Sequence, residues 1–210
     1  MKKTCVVLMV LLAVSFAQAE LVTNGDFEGG TFVADGVPDG WTAQTGWVYF
    51  PSVGYSSNYD RVCNWKSSGG NQYCEAQGWS SGYGDGFSQD IVLTGGETYA
   101  YSFRTKVTEA IAPGYSGSGT GYYSMRLYWD NGGYMDIEGL QYESAGWETI
   151  TGTFEAQAGA TGAGLTMFAW GNTASYQHMG QAYDDISIVA VPEPLTMSLL
   201  GLGALVLRRR

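Results

Sequence analysis

One histidine, three cysteines and five prolines stand among 210 residues, and only 14% of the chain is charged. Each scarcity removes a class of function. The lone His178 has no second imidazole beside it for a zinc site. It offers a single candidate base for a serine-type triad, and no nucleophile motif accompanies it. It sits in the loop-like stretch NTASYQHMGQ, where a surface histidine is expected. No phosphate loop or dinucleotide fingerprint occurs, and the glycine-rich stretches read as turns. Cations are few as well. Between residues 20 and 190, five basic residues (Arg61, Lys66, Arg104, Lys106, Arg126) face 19 acidic ones, a formal net charge of −14. Such a field repels nucleic acid and anionic membrane surfaces, and suits an exported protein that attracts divalent cations. No apolar run reaches the roughly 20 residues that span a bilayer as a helix.

What is present begins with two processing signals. Lys2 and Lys3, the apolar run Val6–Val14 and the small-x-small site Ala17-Gln18-Ala19 make up a secretory signal peptide over residues 1–19, cut before Glu20. Cys5 precedes the apolar run and does not sit at the cleavage point, which argues against a lipoprotein. Cys63 and Cys74 then remain, and an oxidising compartment favours a disulfide between them over two buried thiols. At the other end, residues 191–210 read VPEPLTMSLLGLGALVLRRR. Leu195–Leu207 is short for a permanent anchor, and Pro192 and Pro194 resist helical extension upstream. Arg208, Arg209 and Arg210 favour the cytoplasmic side. Pro192-Glu193-Pro194, a Leu/Gly-rich helix and a terminal arginine cluster together resemble the PEP-CTERM sorting signal of bacterial exported proteins. The resemblance implies processing near Pro192, Glu193 and Pro194 by an exosortase-type protease. It also implies membrane association through the C-terminal helix beforehand, and delivery to the cell surface or exopolysaccharide matrix. A plain C-terminal membrane anchor is the alternative.

Residues 20–190 form one domain without a convincing amphipathic helix. Tyr99, Tyr101, Phe103 and Val107 share one face of a strand, opposite Ala100, Ser102, Arg104 and Lys106. Tyr123, Met125, Leu127 and Trp129 repeat the pattern against Ser124, Arg126 and Tyr128, and Asp130-Asn131-Gly132-Gly133 follows as a hairpin turn. Further strands are expected at 86–93, 134–138, 147–155, 163–170 and 182–190, with a turn at Thr94-Gly95-Gly96 and a Gly/Ser-rich loop from Glu109 to Gly121. The fold class is all-β, an antiparallel β-sandwich. Four stretches then resemble galactose-binding-like jelly-roll carbohydrate-binding modules, in family order. They are LVTNGDFE (21–28) with Gly40-Trp41, FSQDIVLTGGETYAYSF (87–103), Gly146-Trp147 through Phe154, and YDDISI (183–188). Residues 48–80 match less well.

Sugars present apolar C–H faces and rings of hydroxyls, so aromatic plates beside charged or amide groups suit them. Arg104, Arg126 and Tyr128 are expected on one polar sheet face, with Trp65, Trp79 and Tyr83 on nearby loops. Alternatively, these aromatics pack the sandwich edges and the arginines neutralise an acidic surface. Trp41, Trp129 and Trp147 are expected in the core. The jelly-roll resemblance implies a structural Ca²⁺ held by Glu28, Asp184 and Asp185, hard oxygen donors that suit the ion. A glycosidase needs only two carboxylates, and 19 acids select no particular pair. The expectation is therefore a non-catalytic exported protein that binds a polysaccharide. A structural matrix protein without specific sugar binding is the alternative, and a glycoside-active enzyme a weaker one.

Overall fold

The computed structural model describes residues 19–30, 37–44, 64–68, 71–78, 83–108, 120–142, 145–170 and 179–192. Cys63, Trp79, His178, loop residues 109–119 and both apolar ends fall outside this set. Among the described residues ten strands form: β1 (Thr42–Gln44), β2 (Asn64–Ser68), β3 (Asn71–Gly78), β4 (Tyr83–Val92), β5 (Thr98–Thr108), β6 (Thr120–Trp129), β7 (Tyr134–Tyr142), β8 (Glu148–Glu155), β9 (Gly162–Trp170) and β10 (Met179–Ala190). They make two five-stranded antiparallel sheets. The front sheet runs β1-β4-β9-β6-β7 and the back sheet β2-β3-β10-β5-β8. All strands expected from alternation form, β7 and β10 running longer than expected. β1, β2 and β3 have no counterpart among the expected strands. Over the part of β3 whose burial is described, residues 71–76, the fully buried apolar residues are Cys74 and Ala76, both small, which leaves little hydrophobic contrast to read.

Alternation builds the core. β5 sends Tyr99, Phe103 and Val107 inward, and β6 answers with Met125, Leu127 and Trp129 from the other sheet. Phe87, Phe103, Leu165, Met167 and Ile188 are fully buried. Each such side chain contributes on the order of 1.5–3 kcal/mol by leaving water. Tyr183 spans the layers: its hydroxyl accepts from Ser124 N at 2.9 Å and donates to the Phe168 carbonyl at 2.5 Å. That one phenol ties β10 to β6 and β9, and burial holds its pKa far above the ordinary value.

The segment before β1 is fastened by aromatic packing and one amide. Phe27, Trp41 and Phe87 form a triangle of ring contacts at 5.1–5.6 Å. Gln89 accepts from Thr23 N at 2.6 Å and donates to the carbonyls of Thr23 and Gly40. Glu20 pairs with the closing strand, its carboxylate accepting from Ile188 N and the Ser187 hydroxyl.

The β6–β7 turn forms as expected. Gly132 and Gly133 have φ of 96° and 85°, open to glycine at little cost, and Trp129 N bonds the Gly133 carbonyl. This tight connection fixes the β6–β7 register. At the other end of β7, Gln141 bonds the Thr105 carbonyl, Glu148 and Gln181, anchoring that edge strand to the back sheet.

Candidate functional site

The front sheet's outer face carries an ordered set of aromatic and polar groups. The β6–β7 register sets Tyr128 opposite Tyr134, Arg126 opposite Asp136 and Ser124 opposite Glu138. The β6–β9 register continues the rows with Gly164 beside Tyr128, Thr166 beside Arg126 and Phe168 beside Ser124. β4 then supplies Asp90 next to Gly164 and Ser88 next to Thr166. The row Asp90, Gly164, Tyr128, Tyr134 therefore runs from an acid, over a side-chain-free floor, to two tyrosines.

Arg126 is the centre of this face. It lies under its neighbours, only 6% exposed, and makes a two-pronged ion pair with Asp136: Nε to Oδ1, and Nη2 to Oδ2 at 2.7 Å. Its Nη1 donates to the Tyr128 hydroxyl at 3.0 Å. The guanidinium carbon stands 4.3 Å from the Tyr134 ring centre, 5.2 Å from Phe168 and 5.4 Å from Tyr128. Burial works against its charge, but the hydrogen bonds to Asp136 and Tyr128 outweigh that cost and raise its pKa above the ordinary value. A fork so committed is a scaffold: it fixes the two tyrosines at 6.1 Å between ring centres, tilted by 54°. Tyr134 is 59% exposed and Tyr128 42%. Beside them, partial burial and then the charge of Asp136 raise the pKa of Glu138, with Arg126 acting in the opposite direction.

Arg104 does not join this face. It lies on β5 in the back sheet, so the expected platform of Arg104, Arg126 and Tyr128 divides between opposite sides of the sandwich. β5 and β6 follow each other in sequence but are not sheet neighbours. Trp147 also departs from expectation: it is partly exposed on the back sheet's outer face and not in the core, whereas Trp41 and Trp129 are buried. Lys106 Nζ sits 4.9 Å from the Trp147 ring centre and 5.0 Å from that of Tyr73, and Arg104 is 5.0 Å from Trp147. Trp79 lies outside the described residues. Tyr83 enters by backbone only, paired with Trp170 at the start of β4.

The three carboxylates expected to hold Ca²⁺ are taken up by protein groups, although Glu28 lies near enough for its charge to act on Asp184. Glu28 turns to Gln72, accepting from its backbone N at 2.6 Å and its side-chain Nε2 at 3.1 Å. Arg104 Nη1 stands 3.5 Å from Asp184 and 3.2 Å from Asp185. Among the described residues no group of three His, Cys, Asp or Glu side chains is arranged to hold a metal. Burial first, and then the neighbouring Asp185 charge, push the Asp184 pKa up to about 6. Cys74 is fully buried on β3. Of the sorting motif, only Pro192 falls among the described residues, one residue beyond the Val191 N bond to the Thr98 carbonyl.

Neither a protein-family model nor a curated protein matches this chain. Solved structures do. A protein described under "CBM4 structure and function" shares 17% identity at a TM-score of 0.51, over 81% of this chain and 99% of its own. The chain shares the two-sheet jelly-roll fold of that structure. The CBM22-1 xylan-binding domain from Paenibacillus barcinonensis Xyn10C gives 18% identity and a TM-score of 0.50, over 84% of this chain and 97% of its own. A Clostridium thermocellum xylanase 10B structure comprising CBM22-1 and GH10 modules gives 19% and 0.50, and the chain spans 29% of its length.

Asp136, Glu138, Tyr134, Thr166 and Phe168 were not among the residues singled out from sequence. A signal for the first three existed: pairing β7 back onto β6 through the Asp130–Gly133 turn sets them on the face of Arg126 and Tyr128.

Proposed function

We propose that the front sheet's outer face binds a polysaccharide and that the protein is a non-catalytic recognition module. The observation that carries this reading is the Tyr128–Tyr134 pair, exposed and held in fixed orientation by the Arg126–Asp136 fork. Exposed aromatic rings held in fixed orientation lose little entropy when a partner covers them, and pyranose C–H faces are such partners. Asp90, Asp136, Glu138 and Thr166 supply acceptors and a hydroxyl for the sugar's own hydroxyls. The neighbours of like fold include a xylan-binding domain, which supports glycan recognition without naming the glycan here.

The same reading places the protein outside the cell. The signal peptide and the Pro-Glu-Pro tail support export, membrane association through the C-terminal helix, exosortase-type processing and delivery to the surface or matrix. A Cys63–Cys74 bridge belongs with it, favoured by the oxidising compartment. The test is a glycan-array screen followed by titration calorimetry on the best ligand. Saturable binding to one glycan class that Tyr134→Ala weakens supports the reading. Binding indifferent to both Tyr128→Ala and Tyr134→Ala refutes this face as the site.

A further inference from the structure

On the opposite side of the sandwich, the closing strand β10 breaks register between Asp184 and Ser187. Asp185 takes a left-handed conformation there, φ 49°. The break is pinned by the opening segment, Ile186 N bonding the Gly25 carbonyl at 2.9 Å, and a Cβ at Gly25 would clash with the Ile186 carbonyl. The bulge thus forces two consecutive acids to one place: Asp184, 5% exposed, lies against β5, and Asp185 stands beside it. An ionised carboxylate removed from water needs a counter-charge nearby.

That counter-charge comes from the chain itself. Arg104 is the register partner of Asp184, and one guanidinium nitrogen reaches both Asp184 at 3.5 Å and Asp185 at 3.2 Å. Trp147 holds the guanidinium from the side, 5.0 Å from its ring centre. Glu28, the third acid expected at this bulge, is occupied by two hydrogen bonds from Gln72. We infer that Arg104 is a built-in cation: its guanidinium occupies the electrostatic position that a bound Ca²⁺ would otherwise fill, so this domain is stable without a divalent ion. Residue chemistry supports the exchange. A guanidinium offers donors to two carboxylates at once, and unlike an ion it cannot dissociate.

The experiment is a thermal melt of the full chain in mild detergent, for the native sequence and Arg104→Met, each in EDTA and in millimolar CaCl₂. Methionine keeps an apolar stem against Trp147 and removes the charge together with its donors. The native protein is expected to melt at the same temperature in both buffers. Arg104→Met is expected to melt about 3–6 °C lower in EDTA, as befits the loss of a partly exposed guanidinium that leaves one buried acid, Asp184, without its counter-charge, and to regain most of that loss in Ca²⁺. Three results overturn the inference. One is a native protein that loses stability in EDTA. Another is an Arg104→Met variant as stable as native. The third is an Arg104→Met loss that Ca²⁺ does not restore, which would make Arg104 a packing residue. Calorimetric titration of native protein with CaCl₂ decides the matter should the variant fail to fold. No saturable heat is expected, and micromolar binding abolished by Glu28→Gln would refute the proposal.

Discussion

Removing the Tyr134 ring separates recognition from folding. A tyrosine side chain offers about 200 Å² of contact area. With 59% of the residue free, roughly 120 Å² remains for a ligand on that estimate. Arg126 already lies against the ring from 4.3 Å, a cover the 59% exposure includes, and a sugar stacked on the open face covers about half of the free area, the edges staying wet. At about 25 cal/mol per Å², some 60 Å² is worth about 1.5 kcal/mol, close to tenfold in Kd. The fold loses less, since an exposed cation–π contact contributes on the order of 0.5–1 kcal/mol. Tyr134→Ala is therefore expected to weaken glycan binding about tenfold while lowering Tm by no more than about 4 °C. Calorimetry against the array-selected oligosaccharide and a parallel thermal melt read the two quantities. Tyr134→Phe, which keeps the plate, is expected to bind nearly as native. A Tyr134→Ala protein that binds normally, or one that melts about 10 °C early, would refute the division of labour argued for this ring.

Three further outcomes follow from the same geometry. Arg126→Met leaves Asp136 without its fork and releases both tyrosines; a loss of about 2–4 kcal/mol is expected by urea unfolding, discounted because Asp136 keeps some water. Tyr183→Phe deletes the hydroxyl that accepts from Ser124 N and donates to Phe168, removing two buried hydrogen bonds between the sheets, and should cost about 1–3 kcal/mol in the same assay. Asp184 binds its proton more tightly folded than unfolded, with a folded pKa of about 6. This group's contribution is thus most favourable at acid pH, declines as pH rises from about 4 to about 6, and is flat above. Asp184→Asn should remove that part of the slope, so the native-minus-variant Tm difference, measured from pH 4 to 7, should become more negative across that window. A difference constant with pH would contradict the assignment.

Legibility in the sequence followed physical contrast. β5 and β6 alternate large apolar residues with polar ones, so their faces and the hairpin after β6 could be read directly. β3 gave no such signal, because the buried apolar residues over its described part, Cys74 and Ala76, are small. The site was half legible. Arg126 and Tyr128 were found because each strand's own alternation separates inward from outward. Their partners on β7 come from register, which depends on turn length and pairing, and not from composition. The error over Arg104 shares that origin. Two strands with the same period-2 pattern look alike in sequence, whichever sheet they join. β5 and β6 enter different sheets, and that crossing sends the two arginines to opposite faces. Each then meets its own carboxylates: Arg126 one acid, in a fork that leaves two tyrosines presented to solvent, and Arg104 two acids, at a bulge sealed by the opening segment. The first arrangement orients a surface for a partner. The second is closed upon itself, which is why one arginine is read as the foundation of a binding face and the other as a counter-ion.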